Sequence, residues 1–175
     1  MRRIQKWGIA LAAITAGTQL NTTEACTRVV YQGKDNTVLT ARSMDWKEDT
    51  RSNLWIFPRG MKRNGEIGKN PLEWTSKYGS VVASAYDICS TDGMNEKGLV
   101  ANLLWLAESE YPQWDGKKPG LSIAAWVQYI LDNFATVDEA VSYVEKGTFE
   151  VVSDMMPDGT RMATLHLSIS DADGD

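Results

Sequence analysis

The sequence predicts an α+β fold, because β-type runs, a helical section and a final alternating run follow one another along its 175 residues. Short runs rich in β-branched and aromatic residues, separated by turn residues, fill the first hundred positions. Apolar residues then recur at helical spacing over residues 121–134, and residues 162–170 alternate as a strand. The length suits one domain, and a hydrophobic content of 43% excludes a disordered chain.

The first 25 residues predict a secretory leader that is removed. Three basic residues precede an uncharged apolar run, residues 7–17, which is too short to span a bilayer. A small residue, Ala25, stands directly before Cys26, so cleavage there makes Cys26 the first residue of the mature chain. The mature protein is then expected in the periplasm or secreted. Two alternatives remain open: a buried N-terminal helix, and a lipoprotein anchor in which Cys26 carries lipid.

The mature chain is expected to open with a β-hairpin. Residues 27–31 and 37–42 are β-rich, and the Gly- and Asn-containing turn at 33–36 separates them. Such a hairpin returns the chain to the point where it started.

The register of this hairpin decides what lies beside Cys26. A turn centred between positions 34 and 35 pairs Cys26 with Ser43, give or take two positions, and brings Arg42 and Asp45 back to Cys26. A slip of one residue exchanges the side chains that share a face, so the register matters for any chemistry at Cys26.

Further strands and turns follow before the helical section. Apolar runs predict strands at residues 54–57, 78–85 and 98–106, with a charged loop at 61–70 and a turn at 91–98.

Two helices are predicted next. The first covers the apolar stripe at residues 121–134, and the second starts at a capping box formed by Thr136 and Glu139. This second helix is expected to run through about Lys146, with Gly147 as its C-cap.

The final strand, residues 162–170, is followed by an Asp and Gly turn at 171–175. Such a turn anticipates an antiparallel partner, because an unpaired edge strand is a liability. Residues 26–175 are therefore expected to be the N-terminal part of a single, longer domain.

Charge and composition exclude several classes. The chain carries 18 basic and 23 acidic residues, a net charge of −5, and without residues 1–25 the balance is about −7. An acidic chain has no clustered positive surface for nucleic acid. One His and two Cys are too few for a multi-ligand zinc site or a disulfide framework. Any catalytic mechanism therefore has to use few functional groups.

A cysteine at a free N-terminus meets that requirement. Its thiol is a nucleophile, and its α-amine, with an ordinary pKa of about 7.7 to 8.0, can take the thiol proton near neutral pH. Beside Cys26, Arg42 would favour the thiolate and Asp45 would orient the α-amine. Alternatively, Arg42 and Asp45 form a solvated surface pair, and Cys26 forms a disulfide with Cys89.

Four motifs carry a resemblance to a known family: Cys-Thr-Arg at 26–28, Ala-Arg-Ser-Met-Asp-Trp at 41–46, Trp-Ile-Phe-Pro-Arg-Gly-Met at 55–61 and Asp-Gly-Met-Asn-Glu-Lys-Gly-Leu at 92–99. In this order they resemble the choloylglycine hydrolase family of N-terminal nucleophile amidases, which includes bile salt hydrolases and penicillin V acylases. The resemblance implies a four-layer αββα sandwich, autocatalytic or peptidase removal of the leader, and hydrolysis of an acyl amide.

The same resemblance assigns roles residue by residue. Cys26 matches the nucleophile, Arg42 the guanidinium beside it and Asp45 the carboxylate that holds the α-amine. An oxyanion Asn and a second Arg of the family are expected beyond Asp175, so residues 26–175 alone are expected to be inactive.

Two tryptophans indicate which class of substrate to expect. Trp105 stands where bile salt hydrolases have an Asn, and Trp46 follows Asp45 directly. Together they resemble the Gram-negative branch, whose members cleave penicillin V and long-chain acyl-homoserine lactones. Flat apolar side chains suit a phenoxyacetyl or alkyl group. Bile salts are the runner-up substrates, and ordinary core packing is the alternative for both tryptophans.

The remaining expectations concern partners. A small acyl amide is the expected ligand, with no metal, no organic cofactor, no nucleic acid and no membrane contact in the mature form. The resemblance also implies a homotetramer. The alternative from another class is a non-catalytic secreted or lipid-anchored binding protein.

Overall fold

The computed structural model describes residues 26–175, so the predicted leader, residues 1–25, lies outside the described residues. The helices are α1 (Trp126–Asn133) and α2 (Val137–Val144). The strands are β1 (Cys26–Gln32), β2 (Val38–Met44), β3 (Leu54–Phe57), β4 (Lys62–Asn64), β5 (Glu73–Thr75), β6 (Ser80–Ala85), β7 (Cys89–Asn95), β8 (Val100–Trp105), β9 (Gly120–Ser122), β10 (Glu150–Val152) and β11 (Leu165–Ser170). The predicted α+β fold class is confirmed.

A five-stranded antiparallel sheet with the order β11-β8-β7-β6-β3 forms the centre of the described part of the chain. Helix α1 packs on one face of this sheet. The core between them consists of fully buried apolar side chains, among them Leu99, Leu103, Val127, Ile130 and Leu131. Apolar residues on one face of the sheet and one stripe of the helix produce this layer.

The β1-β2 hairpin lies on the opposite face of the sheet. Arg28 donates from Nε to Asn102 Oδ1 at 2.7 Å and from its guanidinium to Ser170 Oγ at 2.7 Å. The Thr40 hydroxyl lies 2.8 Å from the same Ser170 oxygen. In residues 26–175 the layers are therefore helices, sheet and hairpin, the order expected for the first three layers of an αββα sandwich.

The observed register of the β1-β2 hairpin differs by one residue from the predicted register. Cys26 pairs with Met44 rather than Ser43, within the predicted margin. The turn centres on Asp35, because Asp35 and Asn36 both adopt left-handed backbone with φ of 60° and 57°, a conformation that Asn and Asp tolerate.

A central strand occupies the position predicted as a turn. Residues 91–98 were expected to form a turn, but β7 runs through Asn95 and only the last three residues turn. A Cβ at Gly93 would lie 2.6 Å from Leu131, so the glycine allows α1 to pack closely on the sheet. The Asn95 amide donates to the carbonyls of Leu131 and Phe134, which satisfies its polar group inside the core.

The first helix starts later than predicted. Residues 120–122 pair with β10 as parallel strand β9, and a 3₁₀ turn, Ile123–Ala125, precedes α1. The Ser122 hydroxyl accepts from the Ala124 amide at 3.2 Å and caps this turn. The capping contact of Thr136 with the Glu139 amide is confirmed at 3.2 Å, and α2 ends at Val144, shortly before Gly147.

Smaller differences concern short strands. The predicted charged loop at 61–70 contains β4, which pairs with β5, and β10 was not predicted. The last strand begins at Leu165 rather than at 162, because Met162 forms an isolated bridge with Met155 instead. No helix in residues 26–175 is long and apolar enough to cross a membrane.

Candidate active site

A pocket of about 360 Å³ lies where one end of the sheet meets one end of the hairpin. In an antiparallel sheet the first residue of one strand lies beside the last residue of its neighbour, so both lie at the same end of the sheet. The pocket is accordingly walled by the first residues of three strands and the last residues of three others: Cys26, Cys89 and Leu165, and Met44, Ala85 and Trp105. Four of the five predicted site residues, Cys26, Arg42, Trp46 and Trp105, line this one pocket.

Arg42 lies on the same inward face of the hairpin as Cys26. Side chains alternate along β1 and β2, so Cys26, Arg28, Arg42 and Met44 all point toward the sheet. The Arg42 side chain is only 9% exposed, and its Nε lies 2.7 Å from Asp92 Oδ1. One terminal nitrogen donates to the Leu103 carbonyl. The guanidinium is thus fixed in the pocket wall.

The remaining Arg42 nitrogen, Nη1, is buried and has no hydrogen-bond partner in residues 26–175. A buried unpaired donor is costly. A substrate carbonyl oxygen or a thiolate in the pocket is the kind of acceptor that would satisfy it.

Asp92 contacts the site and was not predicted from the sequence as a site residue. Its Oδ1 meets the Arg42 guanidinium and also accepts from Asn102 Nδ2 at 2.8 Å. Asn102 in turn accepts from Arg28. A polar chain through Asn102 therefore links the two inward arginines of the hairpin to the sheet, and Asp92 keeps the charge of Arg42 compensated. Its position in an apparent Asp-Gly turn concealed this role.

Asp45 lies apart from the other predicted residues. Its side chain is exposed, lies outside the pocket wall and accepts from the Ser43 hydroxyl at 3.3 Å. Its predicted contact is with the α-amine that a cut before Cys26 would create. That role stays a prediction.

The two tryptophans meet as a pair in the pocket wall. Their ring centroids are 5.1 Å apart and their planes are tilted by 54°, an arrangement that aromatic pairs prefer over face-to-face stacking. The Trp46 indole donates to the Tyr86 hydroxyl at 2.8 Å, and that hydroxyl donates to Glu48 at 2.8 Å. Burial raises the pKa of Tyr86 above its ordinary value, which keeps it a neutral donor. Tyr86 was not predicted as a site residue.

The rest of the wall is mostly apolar. Ile88, Met44, Met155, Met156 and Leu165 contribute to it. Methionine is flexible and polarisable and adapts to irregular partners. The pocket is therefore suited to an apolar group of some size beside a polar corner at Cys26 and Arg42.

Both cysteines are free thiols, so the disulfide alternative is not what the structure shows. They differ in surroundings, because burial, with the charges of Glu66 and Asp92 adding to it, raises the pKa of the Cys89 thiol to about 12. A thiol that stays neutral is a poor nucleophile. Of the two, only Cys26 is suited to attack a carbonyl.

This difference predicts selective alkylation. At pH 8 only about 10⁻⁴ of a thiol with the pKa of Cys89 is thiolate. Iodoacetamide is expected to leave Cys89 unmodified in the native whole protein and to modify it in urea, with native labelling rising about tenfold per pH unit above pH 8. Peptide mass spectrometry measures both, and equal labelling of Cys89 with and without urea would contradict its raised pKa in the native protein.

No group of three or more metal-ligating side chains gathers anywhere in the part of the chain that the structure describes. Besides the Cys26 thiol and the Arg42 guanidinium, the polar side chains in the pocket wall are those of Thr50, Glu66, Tyr86, Thr91, Ser122 and Asp154.

Residues 26–175 match one protein family over their whole length. The family profile that matches residues 26–175 describes linear amide C–N hydrolases, choloylglycine hydrolase family. The chain therefore belongs to the choloylglycine hydrolase family.

Relatives with known names agree with this assignment. The chain is 56% identical to a penicillin V acylase of Pectobacterium atrosepticum, in a match that covers 95% of this chain and 46% of that protein. It is similar to the structure of penicillin V acylase from Agrobacterium tumefaciens, with 64% identity and a TM-score of 0.78 over 85% of this chain and 44% of that one.

A more distant relative is a conjugated bile acid hydrolase. The structure of a mutant of this enzyme from Clostridium perfringens matches with 27% identity and a TM-score of 0.69, over 86% of this chain and 46% of that one. The chain thus spans about half the length of the relatives that it matches.

Proposed function

We propose that the whole protein hydrolyses a linear acyl amide of the penicillin V acylase type with Cys26 as its nucleophile. The observation that carries this proposal is the shared pocket. Cys26 and the fixed guanidinium of Arg42 lie in the same wall as the Trp46–Trp105 pair, next to an apolar volume large enough for an acyl group. The similarity to two penicillin V acylases supports the same class of substrate.

The reaction proceeds in two stages. The Cys26 α-amine takes the thiol proton, and the sulfur attacks the amide carbonyl and forms a C–S bond. The C–N bond then breaks, the proton passes to the departing amine, and a thioester of Cys26 remains. A water molecule attacks this thioester, releases the carboxylic acid and returns the proton to the thiol.

Arg42 supports the charged species in both stages. Its guanidinium favours the thiolate over the thiol, and its unpaired Nη1 can donate to an oxygen that becomes negative. Asp45 orients the α-amine once the leader has been removed. No metal takes part in this scheme.

The aromatic pair favours a flat acyl group. A phenoxyacetyl ring that stacks against Trp46 or Trp105 gains contact area and aromatic interaction at once. Penicillin V carries this acyl group, so we propose it as the test substrate.

A second candidate substrate is an N-acyl-homoserine lactone. The observation that favours it is the methionine wall of Met44, Met155 and Met156, which can adapt to a long alkyl chain. Release of amine from penicillin V, from an acyl-homoserine lactone and from a glycine-conjugated bile salt distinguishes the candidates. Penicillin V turnover that is no faster than bile salt turnover would contradict the substrate assignment.

We also propose that residues 1–25 are removed on export to the periplasm or beyond the cell, and that the mature protein assembles as a homotetramer. Intact mass of the purified whole protein is expected to correspond to a chain that begins at Cys26 without lipid. Any other first residue removes the free α-amine from the nucleophile, and a mass increase equal to acyl chains would instead indicate a lipoprotein. Native mass spectrometry measures the subunit number.

A further inference from the structure

Arg161 places a guanidinium against the aromatic wall of the pocket. Its Cζ lies 4.3 Å from the ring centroid of Trp105 and 5.3 Å from that of Trp46. Within about 6 Å a guanidinium is attracted to an indole face, and the attraction grows when the pair is desolvated. One arginine therefore contacts both members of the tilted tryptophan pair.

The backbone around Arg161 delivers it to this place. Residues 154–163 form a small hairpin with a bridge between Met155 and Met162 and a hydrogen bond of 2.8 Å from the Met156 amide to the Arg161 carbonyl. Gly159, with φ of 68°, closes its tip. The outgoing strand lines the pocket through Met155 and Met156, and the returning strand presents Arg161.

A second contact ties the same hairpin to the segment that carries Trp46. Lys47 follows Trp46 directly in the sequence, and its Nζ donates to Asp158 at 2.9 Å. Trp46 is held on its other side by its hydrogen bond to Tyr86. Trp105 belongs to the end of β8, a separate element. Arg161 is thus the side chain that joins the hairpin to both tryptophans.

We propose that Arg161 is a positioning residue that sets acyl-group specificity by holding Trp46 and Trp105 in the arrangement that walls the acyl pocket. The inference rests on the proposed function, because it assigns the acyl group to this wall. Arg161 takes no part in bond making. Its effect is expected on substrates whose acyl group reaches the tryptophans and not on substrates whose acyl group is too short to do so.

The variants Arg161→Met and Arg161→Lys test this in the full-length mature enzyme. Methionine keeps an unbranched apolar stem and loses the charge, whereas lysine keeps the charge and loses the planar group that stacks on a ring. For penicillin V we expect Arg161→Met to raise KM about tenfold, with kcat changed far less. For the N-acetyl amide of the same amine we expect no change in KM, and Arg161→Lys should recover part of the loss for penicillin V.

A matched control removes a similar contact elsewhere. Lys146 Nζ lies 5.6 Å from the ring centroid of Tyr143 near the end of α2, and neither residue lines the pocket. Lys146→Met should leave both KM values unchanged. An equal change of KM for the two substrates in Arg161→Met, or an unchanged KM for penicillin V, would overturn the inference.

A spectroscopic measurement separates this inference from the proposed function. Two indoles 5.1 Å apart and tilted by 54° are expected to give a coupled circular dichroism band. We expect Arg161→Met to weaken this band and Lys146→Met to keep it. If the wild-type enzyme cleaves none of the amides, the proposed function fails while this band still reports on Arg161. A band of wild-type strength in Arg161→Met would overturn the positioning role regardless of turnover.

Discussion

Replacing Cys26 by serine is expected to lower kcat/KM for penicillin V by at least about 10³-fold in the whole protein. Serine keeps the shape of the side chain, but its hydroxyl gives up a proton far less readily than a thiol. An α-amine can also serve as base for a hydroxyl, so we expect the loss because the hydroxyl is the weaker nucleophile near neutral pH. Release of the free amine from penicillin V, followed over time, measures the loss.

The control for this variant is Cys89→Ser. Cys89 is the other thiol of residues 26–175, and its raised pKa keeps it neutral, so its replacement should have a far smaller effect on kcat/KM. Intact mass must show that the Cys26→Ser chain also begins at residue 26, because an unprocessed leader would abolish activity for a different reason. A correctly processed Cys26→Ser protein with wild-type turnover would contradict the assigned nucleophile.

Replacing Asp92 by asparagine is expected to cost both stability and activity. Arg42 is 9% exposed and Asp92 21% exposed, and their charged atoms are 2.7 Å apart. Removal of one partner leaves a largely buried charge uncompensated, which we expect to lower the free energy of unfolding by about 2 to 3 kcal/mol. A guanidinium released from its anchor should also reduce kcat/KM roughly 10²-fold, since small displacements in an active site have effects of this size.

Glu96→Gln provides the matched comparison. Glu96 forms an ion pair with Arg59 on the surface, and hydrogen bonds from the Arg59 side chain and the Gly79 backbone hold its pKa at about 2. Solvent screens such exposed pairs, so this variant should change urea unfolding and kcat/KM much less than Asp92→Asn. If Asp92→Asn and Glu96→Gln behave alike in both measurements, the Asp92–Arg42 pair is not the anchor that we describe.

Local sequence rules predicted the part of the site that lies on the hairpin. The turn at Gly33 and its neighbours returns the chain, and strand alternation then places Arg42 on the face of Cys26. The turn centre could be predicted only to within a residue or two, because the left-handed conformations of Asp35 and Asn36 set it. Met44 rather than Ser43 faces Cys26 for this reason.

The contribution of the central sheet was not predictable from local sequence. Asp92, Gly93 and Asn95 have the composition of a turn. They form part of a strand because Leu131 packs over Gly93 and because two carbonyls of the α1 region accept from Asn95. Both reasons depend on a helix that lies about 40 residues further along, so tertiary packing overrides the local preference.

The contacts of Tyr86 and Arg161 were also not predictable from local sequence. Neither belongs to a motif, and each acts through Trp46, which it meets only after the sheet and the 154–163 hairpin have formed. The two tryptophans were predicted as substrate-binding residues, and the structure places them together in one pocket wall.

The most direct test of the central claim is the mass of the enzyme after a rapid acid quench during penicillin V turnover. We expect the mature chain to gain the mass of one phenoxyacetyl group, bound as a thioester and mapped by peptide mass spectrometry to Cys26. This result would show that the linear amide is cleaved by this thiol. A gain equal to the whole penicillin would indicate opening of the lactam ring instead, and a phenoxyacetyl group on any other residue would contradict the account.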